Sequence, residues 1–257
     1  MSERARIDLN ADAGESFGPW RMGSDEALFP SLTSVNLACG FHAGDPGTIR
    51  RTVELAVAHD VAVGAHPGFP DRVGFGRRDL RVTPDELHDD VLYQLGALEA
   101  FVRTVGRRLH HVKPHGAMHH LLVRDADAAD AVARAIASFD RSLPFVVLAG
   151  PAGSVMRRAA EAYDLPVVLE AFPDRGYLAD GRLAPRDRPG AIVHHPDEVA
   201  ERAVAIATRG AIDALDGGTV PVAADTLCIH GDTPTAAATA LAVRRALDDA
   251  GVDVAAF

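Results

Sequence analysis

Seven short apolar runs, each followed by a turn that contains Gly or Pro, constrain the fold of this chain more than any other feature. The runs cover residues 7–12, 34–39, 61–66, 111–115, 145–149, 167–172 and 227–230. Six of the turns carry His, Asp, Glu, Lys or Arg. Such runs predict parallel strands whose carboxyl ends meet at one face. The polar residues of these turns are therefore predicted to surround a single mouth.

Between the runs, the apolar period changes from two to about 3.6 residues, which is typical of helices that connect parallel strands. The clearest example is residues 83–106. Thr83 is a good N-cap, Pro84 suits the first helical position, Glu86 completes a capping box, and Gly106 can end the helix. Similar patterns predict helices after His42, after residue 196, and from residue 233 to about residue 250.

Strands that alternate with helices of this length require right-handed crossovers and a parallel sheet. We therefore predict an α/β fold, a seven-stranded parallel (β/α) barrel similar to a TIM barrel, with residues 1–257 in a single domain. An open doubly wound sheet is the competing architecture. Its nucleotide sites need a glycine-rich turn after the first strand, and residues 8–15 contain neither G-x-G-x-x-G nor a phosphate loop.

Composition excludes several classes of function. The formal net charge of −10 argues against non-specific nucleic-acid binding. No apolar run approaches the roughly 20 residues of a membrane helix. The charged segment 1–6 leads directly into the first run, so we expect no secretory signal and a cytoplasmic location. Cys39 and Cys228 are too few for a disulfide framework, and we expect both to be small buried residues.

The first candidate cluster follows the first predicted strand. Asp8, Asn10 and Asp12 alternate with apolar residues, so they point to one side, which in a barrel is the interior. Glu15 follows in the turn. Buried carboxylates must be paired, protonated or bound to a metal. An internal hydrogen-bond network and a functional site both remain open for this cluster.

The next two clusters each contain a histidine within a turn. His42 lies between two glycines that allow a close approach of the backbone to a ligand, and Asp45 before Pro46 is a plausible N-cap. His66 begins a loop rich in Gly, Pro and Phe, residues 64–76, which is a candidate lid. We predict functional roles for His42 and His66.

Lys113 and His115 are two residues apart on one strand face. A lysine can bind a phosphate or carboxylate, and a histidine can exchange a proton near neutral pH. His115 and His119 also have the i, i+4 spacing of some zinc sites, but the glutamate of H-E-x-x-H is missing and Gly116 weakens a helix there.

The last two clusters contain Glu170 with Arg175, and His230 with Asp232. The guanidinium of Arg175 can hold a carboxylate or phosphate in bidentate fashion. Asp232 is placed to orient His230.

Six strings of residues carry a resemblance to a known family: residues 8–18, 36–45, 64–67, 112–116, 174–177 and 228–232. In this order and without a large gap, they resemble the LamB/YcsF family from about Ile7 to the last helix. The resemblance implies a barrel related to the glycoside hydrolase/deacetylase fold. It also implies the role of the A subunit of the bacterial ATP-dependent 5-oxoprolinase, with partner subunits B and C, 5-oxoproline as substrate and ATP as co-substrate.

With the cluster chemistry, this resemblance leads to two sets of predicted site residues. The catalytic set is Asp12, His42, His66, His115 and His230. The set predicted to bind substrate or phosphate is Asn10, Glu15, Lys113, Glu170, Arg175 and Asp232. Mg²⁺ that accompanies ATP would favour carboxylates such as Asp12 or Glu15. We predict no organic prosthetic group, no nucleic acid and no membrane partner.

Two alternative functions remain open from the sequence. The chain could be a metal-dependent deacetylase-like hydrolase, as relatives of the implied fold are. It could also be a non-catalytic subunit that binds 5-oxoproline and delivers it to a partner. Metal analysis of the purified protein tests the first alternative. Under the second, mutations at the mouth would weaken 5-oxoproline binding but leave the ATPase activity of a partner intact.

Overall fold

A computed structural model describes residues 5–231 and 233–257 of the chain. Its central feature is a parallel sheet with the strand order β3-β2-β1-β8-β5-β4. These strands are β1 (Arg6–Ala13), β2 (Ser34–Ala38), β3 (Ala62–His66), β4 (Phe145–Leu148), β5 (Val167–Ala171) and β8 (Thr226–Ile229). They coincide with six of the seven apolar runs, and the predicted α/β fold with parallel strands is confirmed.

The fourth run, residues 111–115, does not form a regular strand. Only Val112 makes parallel bridges, to Ala65 on one side and to Phe145 on the other. Pro114 has no N–H group to continue the ladder. Val112 thus joins the two edge strands, β3 and β4, and this single residue takes the place of a seventh parallel strand in the curled sheet.

Helices follow the strands and cover the outside of the sheet. They are α1 (Asp25–Leu28), α2 (Pro46–Ala58), α3 (Pro84–Thr104), α4 (Gly116–Arg124), α5 (Ala126–Phe139), α6 (Ser154–Glu161), α7 (Pro196–Arg209) and α8 (Ala236–Asp249). The predicted capping box is present, since Thr83 and Glu86 bond each other's backbone N–H groups at the start of α3. Asp45 caps α2 as expected, by accepting from the N–H groups of Gly47 and Thr48.

Three features differ from the sequence interpretation. A helix begins at Gly116, although glycine was expected to weaken a helix there. The left-handed φ of this glycine (52°) falls at the first residue of α4, so it does not interrupt the helical backbone. An antiparallel pair, β6 (Ala211–Asp213) and β7 (Thr219–Pro221), was not predicted and lies between α7 and β8. A short strand, β9 (Asp253–Val254), pairs with β1.

The alternation along β1 separates two environments. Ile7, Leu9 and Ala11 are buried in the hydrophobic core, whereas Asp8 and Asn10 are buried in the barrel interior. A polar interior requires hydrogen-bond partners, which the neighbouring strands supply. No helix in the described part of the chain combines the length and apolar character needed to cross a bilayer.

Candidate active site

The predicted site residues converge at the carboxyl ends of the parallel strands. Asp12 lies near the end of β1, His66 ends β3, Lys113 follows the Val112 bridge, and His230 follows β8. These four side chains line one cavity together with His115, whose backbone N–H donates to the carbonyl of Pro67. The barrel therefore brings together residues from the first strand and from the last turn of the sheet.

Lys113 is the centre of a buried charge cluster. Its Nζ lies 2.9 Å from Asp12 Oδ1 and 3.0 Å from Glu170 Oε1, and it donates to Cys228 Sγ at 2.9 Å. Only 4 % of the lysine side chain is exposed. A buried ammonium needs such partners, because removing it from water without them is costly.

Burial and pairing oppose each other in this cluster, and pairing prevails. Burial disfavours the charge of Lys113, but Asp12 and Glu170 hold its pKa well above the usual range. Burial likewise disfavours the Asp12 carboxylate, but His66 and Lys113 hold its pKa well below the usual range. Asp12 is therefore an anion and Lys113 a cation at neutral pH.

Four further side chains meet beside this cluster: Glu15, His42, His66 and His115. His115 Nδ1 lies 3.0 Å from His66 Nε2 and 3.8 Å from Glu15 Oε1, and His42 Nε2 lies 3.7 Å from Glu15 Oε1. The rings of His42 and His115 are parallel, with centroids 3.8 Å apart. Burial, followed by neighbouring histidines, lowers the pKa of His42 and of His115 well below the usual value, so both rings are neutral.

The loop after β3 covers these histidines. Gly76 has a left-handed φ of 64°, and a Cβ atom there would lie 2.8 Å from His42 Cβ and from His115 Cδ2. Only glycine permits the backbone to approach this closely. The preceding carbonyl, of Phe75, accepts a hydrogen bond from His115 Nε2 at 2.8 Å. The predicted lid loop thus fixes the orientation of His115.

His230 is paired with Asp174. Its Nδ1 lies 2.7 Å from Asp174 Oδ2, and its backbone N–H donates to the same oxygen. Burial opposes the charge of Asp174, but His230 and these hydrogen bonds lower the pKa of the carboxyl. The sequence predicted Asp232 for this role, and Asp232 lies outside the described residues. Asp174 orients His230, because the turn after β5 lies beside the turn after β8.

Arg175 lines the cavity, but two of its nitrogens hold the surrounding loop. Nε donates to the carbonyl of Ala191 at 3.0 Å, and Nη2 donates to the carbonyl of Ala184 at 2.7 Å. Burial, followed by the charge of Arg186, lowers the pKa of Arg175 to about 10. Arg77 and Arg186 also line the cavity. Three guanidinium groups thus give one wall a positive potential that suits an anionic ligand.

Several predicted residues lie behind the cavity wall. Asn10 donates to Glu170 Oε1 at 3.1 Å, and both side chains are buried beneath Lys113. Glu15 and His42 are likewise not among the residues that line the cavity. These four residues therefore act on the cavity through Lys113, His66 and His115.

The two cysteines are buried, and burial raises the pKa of Cys39 to about 12 and that of Cys228 well above its ordinary value, so both are thiols as expected.

The geometry also decides which residues could hold a metal ion. Within the described residues, the group with suitable donor atoms is Glu15, His42, His66 and His115. His119, which the i, i+4 spacing paired with His115, is outside this group. Asp12, considered for Mg²⁺, has its Oδ1 bound to Lys113.

The sequence interpretation missed Asp174, Phe75, Arg77 and Arg186 as site residues. Asp174 directly precedes Arg175 and could have been included from that position. The carbonyl of Phe75 acts through the backbone, which side-chain patterns do not reveal. Arg77 directly follows the loop of residues 64–76, and no sequence pattern marks it or Arg186 as a site residue.

Known proteins resemble this chain over nearly its whole length. A protein from Thermus thermophilus that is named as the A subunit of 5-oxoprolinase is 56% identical over 252 residues, which cover 98% of this chain and 100% of the relative. A protein of the same name from Methylococcus capsulatus is 52% identical, over 98% of this chain and 95% of the relative.

The crystal structure of a lactam utilization protein from Thermus thermophilus superimposes with a TM-score of 0.93 at 55% identity, over 98% of this chain and 100% of that one. A putative cellobiose-phosphate cleavage protein from Enterococcus faecalis shares the fold alone, with a TM-score of 0.56 at 12% identity, over 98% and 97% of the two chains. The model of the LamB/YcsF family matches residues 7–257. The chain therefore belongs to the LamB/YcsF family.

Proposed function

We propose that this chain is the A subunit of an ATP-dependent 5-oxoprolinase. The complex would convert 5-oxo-L-proline, ATP and two water molecules to L-glutamate, ADP and phosphate. Relatives that are 56% and 52% identical over nearly the whole chain carry the name of that subunit. The word "subunit" in their name supports a complex, and we propose subunits B and C as the partners and the cytoplasm as the location.

The chemistry of a lactam explains the need for ATP. The amide of 5-oxoproline is stabilised by resonance and is a poor electrophile. Phosphorylation of the lactam oxygen would turn it into a good one, and water could then add to the ring carbon. Collapse of the adduct would break the C–N bond and give γ-glutamyl phosphate, and the second water molecule would hydrolyse this acyl phosphate to glutamate and phosphate. A correctly placed proton-transfer group contributes about 10²- to 10⁴-fold to such a step.

The observation that carries this proposal is the arrangement of His230, Asp174, Asp12 and Lys113 around one cavity. His230 Nδ1 is held by Asp174, which leaves Nε2 as the base that removes a proton from water. Lys113 supplies a buried positive charge for the phosphoryl group or for oxygen that becomes negative. Asp12 lies between Lys113 Nζ and His66 Nε2, at 2.9 and 3.4 Å, and is the second candidate for proton transfer.

The positive wall of the cavity supports recognition of the anionic part of the substrate. Arg77, Arg175 and Arg186 lie on this wall. Because Nε and Nη2 of Arg175 already bond loop carbonyls, a substrate carboxylate would use Nη1 of Arg175 or one of the other two guanidinium groups. The site of ATP is at this mouth, on a partner or between the two, and Mg²⁺ would accompany the nucleotide.

Glutamate release is the direct test. The assay contains 5-oxoproline and ATP with the chain alone, with partner subunits B and C, or with the partners only. We expect glutamate and phosphate in equal amounts from the intact complex and almost none from the chain alone. Equal rates without ATP would contradict the coupling. Full turnover by the partners alone would show that this chain is dispensable and would contradict the proposal.

The deacetylase-like alternative is tested in the same preparation. Such an enzyme would release acetate from an N-acetylated sugar without ATP and without partners. We expect no acetate release. Acetate formed by the isolated chain would replace the 5-oxoprolinase proposal.

A further inference from the structure

The group formed by Glu15, His42, His66 and His115 has no role in the lactam chemistry described above. The four residues come from the turns after β1 and β2, the end of β3, and the segment before α4. All four are buried, with side-chain exposures of 5 %, 0 %, 1 % and 4 %. One donor atom of each lies within 4.8 Å of the other three.

The hydrogen bonds around His66 and His115 determine which nitrogens carry protons. His66 Nδ1 lies 2.7 Å from the carbonyl oxygen of Lys113, which can only accept, so Nδ1 is the protonated nitrogen of this ring. His115 Nε2 lies 2.8 Å from the carbonyl oxygen of Phe75, so Nε2 is the protonated nitrogen of that ring. Because His115 Nε2 carries the proton of its neutral ring, His115 Nδ1 is a lone-pair acceptor, and it faces His66 Nε2.

His66 Nε2 and His115 Nδ1 are 3.0 Å apart, and His66 Nε2 also lies 3.4 Å from Asp12 Oδ2. A proton on His66 Nε2 would serve this contact, with Asp12 as its counterion. Such a proton would still give neither nitrogen of His42 a partner. A cation shared with neighbouring donors would satisfy His66 Nε2 and His115 Nδ1 at once, since neutral imidazole is the form that binds metals.

His42 provides the second, independent observation. Its side chain is fully buried, and neither ring nitrogen has a hydrogen-bond partner among the described residues. A buried polar group without a partner destabilises the folded state. His42 Nε2 points toward Glu15 Oε1 at 3.7 Å, on the side of the group where His115 Nδ1 also lies.

We propose that Glu15, His42, His66 and His115 form a binding site for one Zn²⁺ ion or a chemically similar divalent transition metal. Three imidazole nitrogens and one carboxylate oxygen are a donor set that suits zinc rather than Mg²⁺. Ligands bound about 2.0–2.2 Å from a tetrahedral ion are separated by roughly 3.3–3.6 Å. Three of the observed separations are 3.0, 3.7 and 3.8 Å, and all lie within 4.8 Å. Binding would draw the donors together and turn one of the parallel rings of His42 and His115, because an imidazole binds a metal in its own plane.

The balance of charge favours the same conclusion. Glu15 Oε1 lies 3.7 Å from His42 Nε2 and 3.8 Å from His115 Nδ1. A divalent ion bound among these atoms would bring positive charge next to the Glu15 carboxylate. Metal-bound histidines usually donate their other ring N–H to a carbonyl or carboxylate oxygen. The bonds from His66 to the Lys113 carbonyl and from His115 to the Phe75 carbonyl have this form.

The four protein ligands fill a tetrahedron, so the ion fixes the mouth of the barrel and keeps no position for water. His42, His66 and His115 are then ligands, and proton transfer belongs to Asp12 and His230. This distinguishes the site from that of a metal-dependent hydrolase, which keeps one position open. Metal binding is a property of this chain alone, so it stands or falls separately from the proposed 5-oxoprolinase activity.

The test measures metal binding directly. The full chain is treated with a chelator, then titrated with Co²⁺ and, separately, with Zn²⁺ or Mg²⁺. We expect one Co²⁺ per chain with the visible absorption of a four-coordinate ion, displacement by Zn²⁺, and no displacement by Mg²⁺. Zn²⁺ should also raise the Tm of the apo chain, because a ligand that binds only the folded state stabilises it.

Variants assign the ligands. His42→Gln, His115→Gln and Glu15→Gln should each weaken Co²⁺ binding by at least about 100-fold, more than loss of an outer partner does. His119→Gln is the matched control, because His119 is a buried histidine in the same region outside the group, and it should bind Co²⁺ normally. Circular dichroism establishes that each variant is folded.

Three results would overturn the proposal. Failure of the wild-type chain to bind Co²⁺ or Zn²⁺ would leave a shared proton between His66 and His115. Binding as tight as wild type by folded His42→Gln and Glu15→Gln would place the ion elsewhere. Displacement of Co²⁺ by Mg²⁺ at similar concentration would indicate an oxygen site.

Discussion

Two layers of polar side chains lie inside the barrel, and they differ in how completely they are hydrogen-bonded. In the lower layer, the Asp8 carboxylate accepts from the hydroxyl groups of Thr33, Ser34 and Thr226. Asn10 donates to Thr226 at 2.6 Å, and Asn36 donates to Asn10 Oδ1 at 2.7 Å. His111 Nε2 completes this layer by donating to Asn36 Oδ1 at 2.7 Å.

The upper layer contains Glu15, His42, His66 and His115, and its histidines do not satisfy one another. Neither ring nitrogen of His42 has a hydrogen-bond partner among the described residues. The comparison teaches that burial of polar groups alone does not mark a functional site. The side chains of the lower layer bond one another across the strands, whereas His42 in the upper layer lacks a partner among the described residues.

The largest expected effect is on catalysis at the upper layer. His115→Ala and Asp12→Ala should each reduce glutamate release by the assembled complex at least about 100-fold, the scale of a lost proton-transfer group or its support. The measurement is kcat with 5-oxoproline and ATP, with circular dichroism to verify folding. His119→Ala should change kcat little. Equal losses of kcat at His115 and His119 would show that the contribution to catalysis is not confined to the upper layer.

The next effect concerns the stability of the lower layer. Thr226→Val keeps the shape of the side chain but removes the donor to Asp8 and the acceptor for Asn10. Leaving a buried polar group unsatisfied costs roughly 1–3 kcal/mol, so the free energy of unfolding in urea should fall by that amount. Co²⁺ binding by the folded variant should be unchanged. A variant as stable as wild type would mean that the lower network does not stabilise the barrel.

A smaller effect tests the loop that supports His115. Asp71 binds Arg78 and accepts from the N–H of Gly74, and so holds the segment that carries the Phe75 carbonyl. Asp71→Asn should weaken Co²⁺ binding by about tenfold, the lower end of the effect of outer partners. Isothermal titration calorimetry measures the change. Unaltered affinity would show that the loop does not fix the ligand.

The smallest effect is at the N-cap of α2. Asp45 also accepts from the N–H of Gly18 at 2.9 Å, so it ties the turn of Glu15 to α2. Asp45→Ala should lower the free energy of unfolding by about 1 kcal/mol at pH 7.

The same cap predicts a pH dependence. The hydrogen bond from Gly18, with those from Thr48 and Gly47, lowers the pKa of Asp45 to about 2, below its ordinary 3.8. A carboxyl with a depressed pKa stabilises the fold above the ordinary value and loses this effect as the pH falls through the folded pKa. The difference between wild type and Asp45→Ala should therefore shrink between about pH 4 and pH 2 in urea unfolding. A difference independent of pH would contradict the role of the carboxylate charge.

The sequence by itself determined the local elements and the side of the barrel on which the site lies. The capping box of Thr83 and Glu86 and the cap at Asp45 join residues two to three positions apart, so the backbone periodicity of a helix is enough to predict them. Period-two alternation likewise placed Asp8, Asn10 and Asp12 in the interior. It did not reveal that Val112 alone represents the fourth strand, or that β6 and β7 form a pair.

Only the tertiary structure decided which residues are partners. His230 is oriented by Asp174, 56 positions away, a pairing that the sequence did not predict. His115 meets His66 across 49 positions, and not His119 one turn along α4. The physical reason is that such pairs depend on the stagger between strands and on the path of each loop, which many side chains determine jointly. A one-residue change in register would turn every interior side chain to the other face of its strand.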